Sequence, residues 1–309
     1  MKSIITGRYL IPAAFLTILF FFACTDSKTV KDEQTTQSKT DSAGNTAPRD
    51  KTVEGSSSSL FIDDGGPSSG TPVVLVHSFG GSSSHWKAQL EHLRKSRRAI
   101  AFDLRGHGLS SIPSDSNYYV QSLAKDIDAV VDSLDLDKFI LVGHSMGGSA
   151  SIEYTMRNPE RVAGLLLVGT PGKTPSQQAK PIIASLESEK YDTVMNDYMK
   201  RLLINARPSV ADSVWKGIKK LNKSASVDII KAVFEFDPVP PLSDYPGPKL
   251  IISSSGEEQP NALFKQLPEI PHKVISGTSH WVQMDKPDEF NRLLDEFIIR
   301  VENETRNIK

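Results

Sequence analysis

The chain has almost no cysteine: one in 309 residues. A lone thiol closes no internal disulfide and builds no cysteine zinc cage, which excludes disulfide-stapled and zinc-ribbon folds. Charge of neither sign is in excess, since 36 Lys and Arg stand against 37 Asp and Glu for a formal net charge of −1. Nucleic-acid binding wants a basic surplus, and chain-wide disorder wants high net charge with few apolar residues. At 38% hydrophobic residues, neither description applies. The apolar run from Leu10 to Ala23 has 14 residues, short of the roughly 20 that cross a bilayer core. No glycine fingerprint for a dinucleotide opens a βαβ unit, and no His/Asp/Glu spacing suggests a metal, so no cofactor is expected. There is no internal repeat. What remains is a globular enzyme or binding domain, long enough for one large core or at most two domains of roughly 100–200 residues each.

The N-terminus reads as an address. Lys2 and Arg8 precede the apolar run, which has the length of a secretory h-region, about 7–15 residues. The run ends at Phe21-Phe22-Ala23-Cys24, which resembles a bacterial lipoprotein signal, with Phe21 where Leu is usual. The resemblance implies a signal peptide at 1–23 and lipidation of Cys24. It also implies a membrane anchor in the bacterial cell envelope, on the periplasmic or cell-surface side. An ordinary signal peptide or an uncleaved anchor are the alternatives. Residues 25–59 contain no aromatic residue and no Leu, Ile or Met. Such a segment buries too little to offset ordering entropy, so 24–59 is expected to be a disordered tether.

From Leu60 onward the pattern alternates. Leu60-Phe61-Ile62 enters the turn-rich stretch Asp63 to Pro67, as in a short opening hairpin. Bare aliphatic runs at Pro72–His77, Ala99–Asp103, Phe139–Val142, Val162–Val168, Lys249–Ile252 and Lys273–Ile275 predict strands covered on both faces. Helical spacing separates them, around Trp86–Leu93, Val120–Leu134 and Met146–Met156, and again from Phe290 to Val301. Strands alternating with helices of 10–15 residues predict an α/β fold with a mainly parallel central sheet flanked by helices. Residues 171–244 break the alternation and read as a helical insertion within a domain over 60–309.

The chemistry concentrates where strand meets helix. Phe139–Val142 runs into Gly143-His144-Ser145-Met146-Gly147-Gly148 and then a helix. This is G-x-S-x-G in the strand–turn–helix setting that the motif requires, with Ser145 as candidate nucleophile. The earlier strand runs into His77-Ser78-Phe79-Gly80-Gly81. A glycine-rich loop there can present an unobstructed amide, and the Phe79 and Met146 N–H groups are the candidate oxyanion hole.

These segments, with Asp103-Leu104-Arg105-Gly106-His107-Gly108 and Gly277-Thr278-Ser279-His280-Trp281, resemble the α/β-hydrolase fold superfamily, in its serine esterase and lipase-like branch. The likeness runs from about Leu60 to the C-terminus, and Ser78 departs from the usual glycine. It implies a triad in the order Ser…acid…His. It also makes the Asp103–Gly108 segment structural and turns 171–244 into a cap over the site. Of seven histidines, only His280 follows the last strand and precedes the final helix, which makes it the base. His77 reads as structural, and His85 and His92 as surface groups. The acid should follow the strand ending near Ile252, where the chain reads Ser253-Ser254-Ser255-Gly256-Glu257-Glu258. Glu258 is the favoured acid and Glu257 the alternative, with Asp237 or Asp244 behind them.

The resemblance thus implies a cofactor-free serine hydrolase acting on small carboxylic esters or related acyl substrates through a covalent acyl-enzyme. C–C bond hydrolysis, acyl transfer or perhydrolysis could use the same residues. A non-catalytic surface lipoprotein that keeps the fold as a binding module is the rival from another class.

Overall fold

The computed structural model describes residues 49–307. The signal peptide, Cys24 and the tether up to residue 48 lie outside the described residues. The end of the expected tether does not. Residues Arg49–Glu54 form strand β1, antiparallel to β2 (Ser59–Gly65) and joined to it through a tight turn in which Gly55 N–H donates to Ser58 at 2.8 Å. The turn of the opening hairpin therefore lies before Leu60 rather than after Ile62, and β2 runs on through Asp63 and Asp64. β1 escaped notice because its sequence, Arg-Asp-Lys-Thr-Val-Glu, carries one apolar residue. That composition suits a strand at a sheet margin, where charge discourages pairing with other chains.

The remaining elements are β3 (Val73–Val76), α1 (Lys87–Leu93), β4 (Ala99–Phe102), α2 (Val120–Ser133), β5 (Phe139–His144), α3 (Met146–Arg157) and β6 (Val162–Val168). Five helices follow without a strand between them: α4 (Ser176–Glu187), α5 (Tyr191–Leu202), α6 (Pro208–Ile218), α7 (Lys223–Glu235) and α8 (Val239–Asp244). The chain closes with β7 (Lys249–Ser254), α9 (Leu263–Gln266), β8 (His272–Ile275), α10 (Val282–Asp285) and α11 (Pro287–Asn307).

The strands form one eight-stranded sheet in the order β1-β2-β4-β3-β5-β6-β7-β8, parallel from β4 to β8. Successive side chains on a strand point to opposite faces, so each bare run feeds two cores. Val74, Val76, Leu141 and Leu167 join α2, α3 and part of the insertion on one face. Val73, Leu75, Val142 and Ile252 pack with Trp86, Phe290, Leu294 and Phe297 on the other. At about 25 cal/mol per Å² of apolar surface, this two-sided burial is the main stabilising term.

A buried ion pair sets the loop after β4. Arg105 donates to both Asp126 oxygens, with Nη2–Oδ1 at 2.6 Å, and reaches Ser56 and Ser57 in the β1–β2 turn. Its structural assignment agrees with this geometry. Removing one partner of such a pair typically costs about 3–5 kcal/mol.

Candidate active site

β5 ends at His144, and Ser145 turns the chain into α3 with φ 53° and ψ −117°. A non-glycine residue in that region is strained and persists only where its surroundings hold it. Here the Ser145 amide donates to Val168 at 2.8 Å and its carbonyl accepts from Ser149 at 3.1 Å. The glycines beside it answer to crowding. A Cβ on Gly147 would collide with the His77 carbonyl, and one on Gly148 with the Thr170 hydroxyl. The start of α3 is thus pressed between the ends of β3 and β6, with Ser145 at the carboxyl edge of the sheet.

His280 lies in the loop between β8 and α10, which hydrogen bonds tie to the elements around it. Ser279 donates to Asp285 through its amide at 2.9 Å and its hydroxyl at 2.5 Å. The His280 amide donates to Leu202 at the end of α5, at 3.0 Å. Its carbonyl accepts from His144 Nε2, also at 3.0 Å.

The carboxylate at the ring of His280 belongs to Glu257, whose Oε1 accepts from Nδ1. The favoured Glu258 is not there: it is exposed, beyond the turn. The physical reason is a single helical turn, Ser255–Glu257, directly after β7. Ser254 caps it, and Glu257 reaches back so that Oε2 accepts the Ser254 amide at 2.7 Å. One oxygen is fixed by the cap and the other is turned to His280. The signal was present in the sequence, because Ser254-x-x-Glu257 is a capping box.

Gly169, at the end of β6, lies against this pair. A Cβ there would stand 2.8 Å from both Glu257 Oε1 and His280 Cε1, and the residue has φ 51°. The position cannot supply the acid, and it also leaves the space in which the acid and ring meet.

The candidate oxyanion donors are both free. Among the described residues the Phe79 amide has no hydrogen-bond acceptor, and Met146, the first residue of α3, has no intrahelical one. The Ser78 departure has a partner, since Trp281 Nε1 donates to Ser78 Oγ at 3.2 Å and joins this loop to that of His280.

The other histidines separate by environment. His77 is fully buried, its Nδ1 against the Ser78 carbonyl at 2.8 Å and its Nε2 accepting from the Leu104 amide at 2.9 Å. Burial holds it well below the usual histidine range, so it is neutral. His144 is likewise lowered by burial and by the neighbouring His280 ring. Gln283 donates to its Nδ1 at 3.1 Å, so the ring proton sits on Nε2. His92 pairs with Asp295 at 2.9 Å near the surface. His85 is not a surface group: it is buried and lowered to about 4 by desolvation. It follows the first residues of a short turn at Ser83–Trp86 that folds inward, which periodicity did not reveal.

Ser145, Glu257 and His280 line one cavity of about 510 Å³. Its far wall is apolar and comes from the helices between β6 and β7, through Ile182, Leu202, Val233 and Phe234. Glu257, the alternative acid, is the histidine's partner in place of the favoured Glu258, and two residues of the site were not foreseen: Asp285 as the anchor of the histidine's loop and Gly169 beneath the pair. Asp285 and Gly169 had no local signal. Among the described residues no cluster of His, Cys, Asp or Glu gathers in a metal-holding arrangement.

The chain is 41% identical over 107 residues to the dihydrolipoyllysine-residue acetyltransferase component of the acetoin cleaving system of Pseudomonas putida, covering 35% of this chain and 29% of that protein. It is 34% identical over 128 residues to the putative carbamate hydrolase RutD of Variovorax paradoxus, covering 41% and 48%. The chain therefore spans less than half the length of these curated relatives. Among solved structures, a thermophilic esterase from Thermogutta terrifontis superposes with a TM-score of 0.70 at 24% identity, over 82% of this chain and 99% of that one. At that identity the likeness speaks for the fold. The family model for the alpha/beta hydrolase fold matches residues 71–287, from the start of β3 to the start of α11 and across the whole site, and the chain belongs to that family.

Proposed function

We propose that the protein is a serine hydrolase acting on carboxylic esters or related acyl substrates through a covalent acyl-enzyme. One observation carries the reading. A strained Ser145 and a histidine held by a carboxylate line the same cavity.

The chemistry follows from the atoms available. Glu257 occupies Nδ1 of His280, which leaves Nε2 as the nitrogen for the nucleophile. Ser145 Oγ attacks the substrate carbonyl carbon as its proton passes to Nε2. The negative charge that develops on the carbonyl oxygen is met by the Phe79 and Met146 amides, which need no reorganisation to donate. Collapse breaks the bond to the alcohol, which leaves with the proton from His280. Water then repeats the sequence on the acyl-enzyme, releasing the acid and restoring Ser145. No step calls for a cofactor. The apolar wall of Ile182, Leu202, Val233 and Phe234 favours a substrate with a hydrophobic acyl or alcohol part. We further propose that Cys24 is lipidated and holds the domain at a bacterial envelope membrane, a reading supported by the lipoprotein-like Phe21–Cys24 sequence.

A fluorophosphonate probe on the full chain tests the activity. Covalent labelling that maps to Ser145 supports it. A folded sample that stays unlabelled would remove the hydrolase reading.

A further inference from the structure

His280 is held by its backbone from two directions. Its carbonyl accepts from His144, beside the nucleophile, and its amide donates to the Leu202 carbonyl, each at 3.0 Å. Leu202 ends α5, so the second bond comes from the helices inserted between β6 and β7.

Another tie runs from the same insertion to the same loop through Asp285. This side chain is buried, and its two oxygens serve different elements. Oδ2 accepts from the Ser279 amide at 2.9 Å and from the Ser279 hydroxyl at 2.5 Å, directly before His280. Oδ1 accepts at 2.9 Å from the amide of Arg207, 78 positions away and at the start of α6. The Arg207 guanidinium donates to the carbonyl of Met284, next to Asp285. The connection 203–207 between α5 and α6 is therefore fastened to the loop of the candidate base at both ends.

Closing the loop on itself needs only Oδ2, which already accepts both Ser279 groups. An oxygen of a buried carboxylate needs a donor, and the donor that Oδ1 has belongs to the insertion. The same stretch of α5 lines the cavity that holds Ser145 and His280, through Tyr198, Arg201 and Leu202. The substrate's wall and the base's support are thus one piece of chain.

We propose, resting on the serine hydrolase reading, that Asp285 is a positioning residue that transmits the seat of the insertion to His280. The imidazole is correctly placed for Ser145 only while the connection 203–207 is docked. A displacement of about 1 Å among reacting groups costs on the order of 10²-fold in rate. A substrate that lifts α5 from its seat is therefore turned over slowly as well as bound weakly.

The rate of fluorophosphonate labelling of the full chain tests this. Labelling forms a bond from Ser145 Oγ to phosphorus, expels fluoride and passes the hydroxyl proton to His280, so its rate reads the placement of the base. Arg207 has φ −62°, an angle that proline imposes, and Arg207→Pro deletes the amide that donates to Asp285. Arg207→Ala removes the same guanidinium and keeps that amide. The expected rate for Arg207→Pro is about tenfold or more below that of Arg207→Ala, with the same final stoichiometry of label. Asp285→Asn should be slowed as well, because its NH₂ group must face one of the donors and only one tie survives. Equal rates for the two Arg207 variants would overturn the positioning role. So would a lower final stoichiometry at an unchanged rate, which marks partial unfolding and a purely structural tie. In both of these cases a parent chain that labels at Ser145 keeps the hydrolase reading, whereas an unlabelled parent removes that reading and the positioning role with it.

Discussion

His144 Nε2 lies 3.0 Å from the carbonyl oxygen of His280. The residue before the candidate nucleophile thus holds the backbone of the candidate base, and Gln283 fixes the tautomer that lets it do so. The elbow and the base loop are joined by this bond. Gln283→Met should leave the fold intact and lower kcat more than it raises KM, by about 10- to 100-fold, since small misplacements of reacting groups are expensive. Steady-state kinetics on a chromogenic ester would separate the two constants, and an unchanged kcat would show that the bond has no bearing on turnover.

Ser145→Ala should cut turnover by a factor on the order of 10⁶, down to what binding and the oxyanion donors sustain alone. Near-normal esterase activity in this variant would take the nucleophile's role from Ser145.

The two adjacent glutamates give a sharper contrast. Glu257→Gln should reduce turnover by roughly 10⁴, because the imidazole loses the group that orients it and stabilises its charged form. Glu258→Gln, in an exposed residue past the turn, should cost little. The reverse ranking would contradict the observed contact.

Gly169→Ala should be as damaging to activity as many direct changes. The new Cβ would meet Glu257 and His280 at 2.8 Å, at a φ of 51° that alanine rarely adopts. We expect a drop of about 10²-fold or more with circular dichroism close to that of the parent. Full activity would mean that the pair can shift without consequence.

Stability should fall as the solution is acidified from about pH 7.5 to about pH 5.5. His77, His85, His107 and His144 are all lowered in the folded state, two of them to about 4, against an unfolded value of 6.5. In that window the unfolded chain binds more protons than the folded one, so protons favour unfolding. Each such histidine contributes up to about 1.4 kcal/mol per pH unit. Asp103 and Asp126 are raised by burial and act in the opposite sense, but nearer the carboxylate range. Urea midpoints measured across the window should decrease steadily, and a flat profile would refute the account.

Cys24→Ser should release the protein from membranes if the envelope anchor is a lipid on that thiol. Retention of an unprocessed chain would point to an uncleaved helix instead.

Much of this molecule was legible because the relevant physics is local. Strands buried on both faces must be apolar at every position, so β3, β5 and β6 stand out as bare runs. A turn as tight as that at Ser145 needs small residues two positions away on both sides, and Gly143 and Gly147 flanking a serine between strand and helix advertise it. The place of His280, after the last strand, followed from chain order once the family resemblance was recognised. Other features depended on groups distant in the chain. β1 has a polar sequence and is a strand because β2 pairs with it. His85 is buried together with Trp86 in the turn after β3, although three serines precede it and a lysine follows the pair. Asp285 acquires its part from Ser279 and from the Arg207 amide, which donates to it across 78 positions. Between Glu257 and Glu258 composition offers no choice, since both carry the same carboxylate. The turn that Ser254 caps aims one of them at His280 and leaves the other in water, and that aim exists only when β7, β6 and the loop after β8 are assembled side by side.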